Sequence, residues 1–175
     1  MIRRLRRSAV IGLAALALAS SDAVAGTELH DGANYFALSL DDTWTPVDVA
    51  GVTDGPIAGF RHADSGAVLA VSRVDVANPA AWRGDKRFFR EVEDGVAATT
   101  PGYKRLRSKR RSIDDVPVLD LVFSRDGAAG IETTALRIVF FRTFSLSWAV
   151  SAQSAVWKQH EHALTAAAAG LIPER

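Results

Sequence analysis

The chain has 175 residues, the length of one ordinary domain. With 48% apolar and 23% charged residues it is not collagen-like, low-complexity or natively unfolded. It has no cysteine, which excludes a disulfide scaffold, a thiolate metal site, a cysteine nucleophile and a cysteine-linked lipid anchor, and its formal charge is only +1.

The first segment reads as an address rather than as structure. Arg3, Arg4, Arg6 and Arg7 form a basic head, Ala9 to Ala19 an apolar run, and Ala23-Val24-Ala25 a small-x-small end. Those are the three parts of a secretory signal, with cleavage expected after Ala25. The apolar run is too short for a membrane-spanning helix, which needs about 20 residues. The two arginine pairs admit twin-arginine export, but Ser8-Ala9-Val10 fits that motif poorly, and the route stays open. Losing residues 1–25 removes four arginines and one aspartate from the 21 basic and 20 acidic residues, leaving a formal charge of −2. A globally basic nucleic-acid binder is disfavoured. No later stretch is apolar and long enough to span a bilayer. Residues 26–175 are expected to form a single periplasmic or secreted domain.

Tyr35 to Leu40 alternates, with Phe36, Leu38 and Leu40 on one face, as a half-buried strand does. Trp44 and Pro46 open a turn-rich stretch to Gly55-Pro56. Ile57 to His62 and Ala67 to Asp75 read as a hairpin turning at Asp64-Ser65-Gly66, with Gly66 at positive φ. Asn78-Pro79 marks a break. Asp85 is placed to cap a helix over Lys86–Thr99 whose apolar stripe is Phe89, Val92, Val96 and Thr99. Gly95, and Lys86 and Arg87 at the positive end of the helix dipole, oppose it, so packing of Phe88 and Phe89 must hold it. Thr100-Pro101-Gly102 ends it.

Three strands follow, over Tyr103–Ser112, Val116–Ser124 and Ile131–Arg142, with a loop at 126–130. Phe144, Leu146, Trp148 and Val150 then alternate with small residues. Ser154 is placed to cap a last helix with the stripe Trp157, Leu164, Ala168 and Leu171, stopped by Gly170 and Pro173. The predicted fold class is α+β. It has an antiparallel sheet of about six strands, flanked by two helices, one on each face.

Three places carry a resemblance to a known family: Phe36-Ala37-Leu38-Ser39-Leu40 with Trp44 just after, Val116-Pro117-Val118 entering a strand after an acidic turn, and the closing strand 144–150 before a C-terminal helix. The pattern resembles the PsbP-like α/β/α sandwich, shared by the extrinsic photosystem II protein PsbP and a nuclear-import factor that binds the GTPase Ran. The family often has Pro a few residues before the tryptophan, where this chain has Asp41 and Asp42. The resemblance implies a non-catalytic role in binding proteins, as accessory or assembly factors do. It carries over no catalytic residue and no cofactor.

The strongest chemical feature is the run Lys104, Arg105, Leu106, Arg107, Ser108, Lys109, Arg110, Arg111. On a regular strand Arg105, Arg107, Lys109 and Arg111 share one face, about 6.5–7 Å apart. Such a ridge suits bidentate contacts with phosphates or carboxylates. An acidic envelope protein fits it, as does an anionic lipid or lipopolysaccharide surface. No nucleic-acid partner is expected, since an exported protein rarely meets one and no aromatic residue interleaves the charges. Lys86, Arg87 and Arg90 are candidates to extend the patch. A solvated edge kept soluble by its charge remains the alternative.

Other candidates are weaker. His160 and His162 are two apart and diverge on a helix, so they do not share a metal. His30 and His62 have no ligand-spaced neighbours. Asp41-Asp42 and Asp114-Asp115 read as turns, since no calcium loop is present. The glycines at 51, 55, 127 and 130 match no phosphate or dinucleotide fingerprint. A hydrolase lacks its Gly-x-Ser-x-Gly elbow. Trp148 and Trp157 fall on core faces. Trp82, before the first helix, is a partner anchor if exposed and otherwise packing.

Overall fold

The computed structural model describes residues 27–32, 36–49, 55–75 and 85–173. The expected signal and its cleavage point, the break at Asn78-Pro79 and Trp82 lie outside them. In chain order come β1 (Thr27–Asp31), β2 (Phe36–Leu40), β3 (Trp44–Val47), β4 (Ala58–His62), β5 (Val68–Asp75), α1 (Lys86–Thr99), β6 (Lys104–Ile113), β7 (Val116–Gly127), β8 (Gly130–Phe140), β9 (Phe144–Gln153), α2 (Ser154–Ala169) and β10 (Leu171–Pro173).

Among the described residues seven strands form one antiparallel sheet in the order β3-β4-β5-β9-β8-β7-β6, against the expected six or so; β2, expected as part of this sheet, lies outside it, and β3 joins it instead. In sequence β3 reads as turns because of Pro46. It lies at the sheet edge, where a missing N–H is tolerated. A second sheet, β1-β2-β10, was not predicted either. Its outer strands are short, and their pairing with the apolar strand β2 is what makes them strands.

The sheet is covered on both faces. On one, Phe89 and Val96 of α1 pack on Leu119, Leu121, Phe123, Leu136 and Ile138. Phe88, Phe89 and Phe140 meet edge to face with ring centres 5.1–5.8 Å apart, the packing this helix needs against its glycine and inverted charges. Asp85 caps it as expected, its Oδ1 accepting the Phe88 N–H at 2.8 Å. On the other face, Trp157, Leu164 and Ala168 of α2 pack on Leu69, Val71, Leu146, Trp148 and Val150, joined by Phe36 and Leu38 of the small sheet. Trp148 is fully buried, and its Nε1 donates to the Ala168 carbonyl at 2.7 Å.

Two helix details differ from expectation. Ser154 does not cap α2. It is the first helical residue, and its hydroxyl bonds Thr133 Oγ1 at 2.9 Å. The helix stops at Ala169, so Leu171 leaves the predicted stripe for β10. The predicted loop at 126–130 contracts to Ala128-Ala129 because β7 and β8 pair as far as Gly127 and Gly130. Gly66 has φ +64°, as its turn requires.

Candidate functional site

The cationic run forms β6, the outermost strand of the main sheet. Its inner edge pairs with the apolar strand β7, which is held in turn by β8. Charge repulsion within the run is therefore overridden by pairing, while Lys104 to Arg110 stay exposed. The β6–β7 hairpin closes through Asp114 and Asp115, with φ 48° and 65°, the left-handed values of a two-residue type I′ turn.

The register corrects the predicted ridge. Arg105 is opposite Phe123 and Arg107 opposite Val122, leaving Leu106 as a bulge. The extra residue turns Arg105 onto the α1 side with Phe123 and Leu121. Lys104 takes its place on the α2 side with Arg107, Lys109 and Arg111, opposite Ser124, Val122, Asp120 and Val118. Regular alternation, the basis of the sequence reading, fails at one residue.

On the α1 side the cations are engaged. Glu93 lies on the buried stripe of α1, between Phe89 and Val96, with 6% of its surface exposed. Arg105 Nη1 reaches its Oε1 at 2.9 Å, Ser108 Oγ donates to Oε2 at 3.1 Å, and Tyr103 Oη lies 3.5 Å from Oε1. Burial first, and Glu93 second, push the Tyr103 hydroxyl above its ordinary value of 10.0. The Arg110 guanidinium lies 5.8 Å from the Phe89 ring centre. The sequence reading missed Glu93; the available signal was a carboxylate four residues after Phe89 on an otherwise apolar stripe.

On the α2 side the charges centre on Asp120. Arg137 Nε donates to Asp120 Oδ1 at 2.5 Å, and its Nη1 donates to the Ala169 carbonyl at 3.0 Å, tying β7 and β8 to α2. Arg111 Nε lies 2.9 Å from Asp120 Oδ2. Burial pushes the Asp120 carboxyl up, while Arg111, Lys109 and Arg107 pull it back. Among the described residues Lys104, Arg107 and Lys109 form no ion pair. Leu106 stands beside them with 56% of its surface exposed. Of the proposed extension on α1, Arg87 is bound to Glu91 at 2.9 Å. Lys86 and Arg90 are exposed but sit on the helix that covers the opposite face.

The remaining candidates have structural surroundings. His62 is buried; its Nδ1 accepts the Ser65 N–H at 3.2 Å and lies 2.9 Å from Ser65 Oγ. Its ring meets Trp44 and His160 at centroid distances of 5.1 and 5.8 Å, and no carboxylate is among these contacts. Asp41 Oδ1 accepts the Thr43 N–H at 3.0 Å, as a turn residue does. Among the described residues no three histidines or carboxylates gather to hold a metal, and no helix is long and apolar enough to cross a membrane.

The sequence matches no protein-family model and no curated protein. Solved structures do share the fold. Cyanobacterial PsbP (CyanoP) from Synechocystis is 15% identical, with a TM-score of 0.59 over 91% of this chain and 98% of that one. LpqN, involved in cell envelope biogenesis of Mycobacterium tuberculosis, is 15% identical, with a TM-score of 0.57 over 83% and 86%. The Ran-binding protein Mog1p of Saccharomyces cerevisiae is 8% identical, with a TM-score of 0.57 over 85% and 95%. The chain therefore has the PsbP-like fold, as the sequence pattern suggested.

Proposed function

We propose that this protein is an exported, non-enzymatic accessory or assembly factor of the cell envelope, and that it binds an acidic protein partner through β6. The observation that carries the reading is the row Lys104, Arg107, Lys109 and Arg111, whose first three members are exposed and have no ion-pair partner among the described residues, while Arg111 is half-buried against Asp120. A cationic surface left unneutralised on a chain of net negative mature charge favours association with an acidic partner and steers its approach. Exposed Leu106 adds an apolar contact at the margin of that surface. The signal-like residues 1–25 support export. The shared fold supports a binding role: LpqN is involved in envelope biogenesis and Mog1p binds Ran.

A second reading, attachment to anionic lipid or lipopolysaccharide, draws on the same four cations in one line. The test is capture from an envelope extract of the source organism by the purified protein and by a variant with Lys104, Arg107, Lys109 and Arg111 changed to Ser. A specific protein retained by the wild type and lost by the variant supports the first reading. Retention by both removes β6 from it. Lipid or lipopolysaccharide carried by the wild type alone, with no protein, supports the second.

A further inference from the structure

We infer that β6 receives an acidic extended segment of a partner protein as an added strand, along Arg107–Ile113. This deepens the proposed function and rests on its choice of a protein partner. Three features carry it.

The first is the free edge. β6 is the last strand of the main sheet, and no described strand pairs with its outer side. An antiparallel edge strand directs alternate N–H and C=O groups outward, a ready template for one more strand.

The second is the register. Between Arg107 and Ile113 the pairing with β7 runs without a shift, from Arg107 opposite Val122 to Ile113 opposite Val116. These seven residues form an even ladder long enough for an ordinary strand. The irregularity at Leu106 sets the end of the ladder and leaves its exposed side chain beside the entering segment.

The third is charge. Native edges are often guarded by cations, which repel a second copy of the same strand. The guard is selective: it repels a basic edge and attracts an acidic one. Arg107, Lys109 and Arg111 occupy alternate positions on the α2 side, while Ser108, Arg110 and Ser112 occupy the other. Residues of an added strand lie beside their neighbours on the same face. The fitting segment therefore carries carboxylates at every second position, about 6.5–7 Å apart, with short polar residues between. Main-chain hydrogen bonds supply affinity and the alternating carboxylates supply specificity.

The test uses the protein purified after expression of the full chain and three fluorescent peptides of seven residues. The first has glutamate at alternate positions with threonine between. The second has the same composition with the glutamates contiguous. The third is the first with every backbone amide N-methylated, which keeps the charge and removes the donors on both edges. The expected result is binding of the first peptide, weakened about tenfold or more in the other two. Binding should also weaken in the variant Arg107→Ser/Lys109→Ser. Equal binding of all three peptides overturns strand addition in favour of charge alone. No binding overturns it too, as does binding to phosphatidylglycerol vesicles with none to the peptides. If an envelope protein is captured through β6 yet N-methylation changes nothing, the inference fails and the proposed function stands. If the alternating peptide binds by its amides but no envelope protein is captured, strand addition at β6 stands and the envelope role in the proposed function fails.

Discussion

Arg105 is the counter-ion of Glu93: its Nη1 lies 2.9 Å from a carboxylate oxygen carried on the buried stripe of α1. The contact divides the cationic strand by role. A bulge of one residue assigns Arg105 to holding α1 on the sheet and leaves Arg107, two positions on, without an ion pair among the described residues.

That division is measurable. Arg105→Ser leaves a buried carboxylate short of its cation, whereas Arg107→Ser removes a solvated charge. The first substitution is expected to lower the urea midpoint and the second to leave it within experimental scatter. Equal midpoints would mean that the two arginines are equivalent.

Tyr103 reports on the same cluster. Its hydroxyl is expected to titrate above 10, because burial and Glu93 both disfavour the phenolate. A group raised in the folded state contributes stability that is fully present below its unfolded value, about 10, and is lost as pH rises through the folded value. The chain has two tyrosines, so the ultraviolet titration is done in a Tyr35→Phe background. Adding Glu93→Gln should shift the midpoint back toward 10. A midpoint at or below 10 before that change would contradict the arrangement.

Asp120 holds Arg137 in place. Arg137 is buried, and a guanidinium does not discharge, so Asp120→Ala leaves a charge with the Ala169 carbonyl and the Trp148 ring face but no carboxylate against it. A loss of about 2–3 kcal/mol is expected, below the range for a fully buried pair because Asp120 is partly exposed. Chemical denaturation measures it, and a loss under about 0.5 kcal/mol, the scatter of ordinary surface changes, would refute the role.

The hairpin that presents β6 has room for improvement. Asp115 sits at φ 65° without being glycine. Asp115→Gly should relieve that conformation and raise stability by about 1 kcal/mol. A lower denaturation midpoint would show that the aspartate side chain contributes more than the backbone loses.

The parts of the fold that are local in sequence were legible. Alternation placed β9, the Asp85 cap placed the start of α1, and Gly66 placed a turn. The sheet β1-β2-β10 was hidden because Thr27–Asp31 and Leu171–Pro173 become strands only through partners distant in the chain. The basic run was legible as a strand, but its faces were not: a bulge arises from pairing with β7, and no residue type at Leu106 announces it. Glu93 was hidden for a related reason, since its partners Arg105 and Ser108 come from another element.

The most direct test compares two variants of equal charge loss for capture of partner protein from an envelope extract. One is Lys104→Ser/Arg107→Ser/Lys109→Ser on the α2 side of β6. The other is Lys86→Ser/Arg87→Ser/Arg90→Ser on the helix covering the opposite face. The first is expected to lose the partner and the second to keep it, with capture by the wild type weakening as salt rises. Equal loss from both variants would reduce the interaction to net charge, and full retention by the first would contradict a binding role for β6.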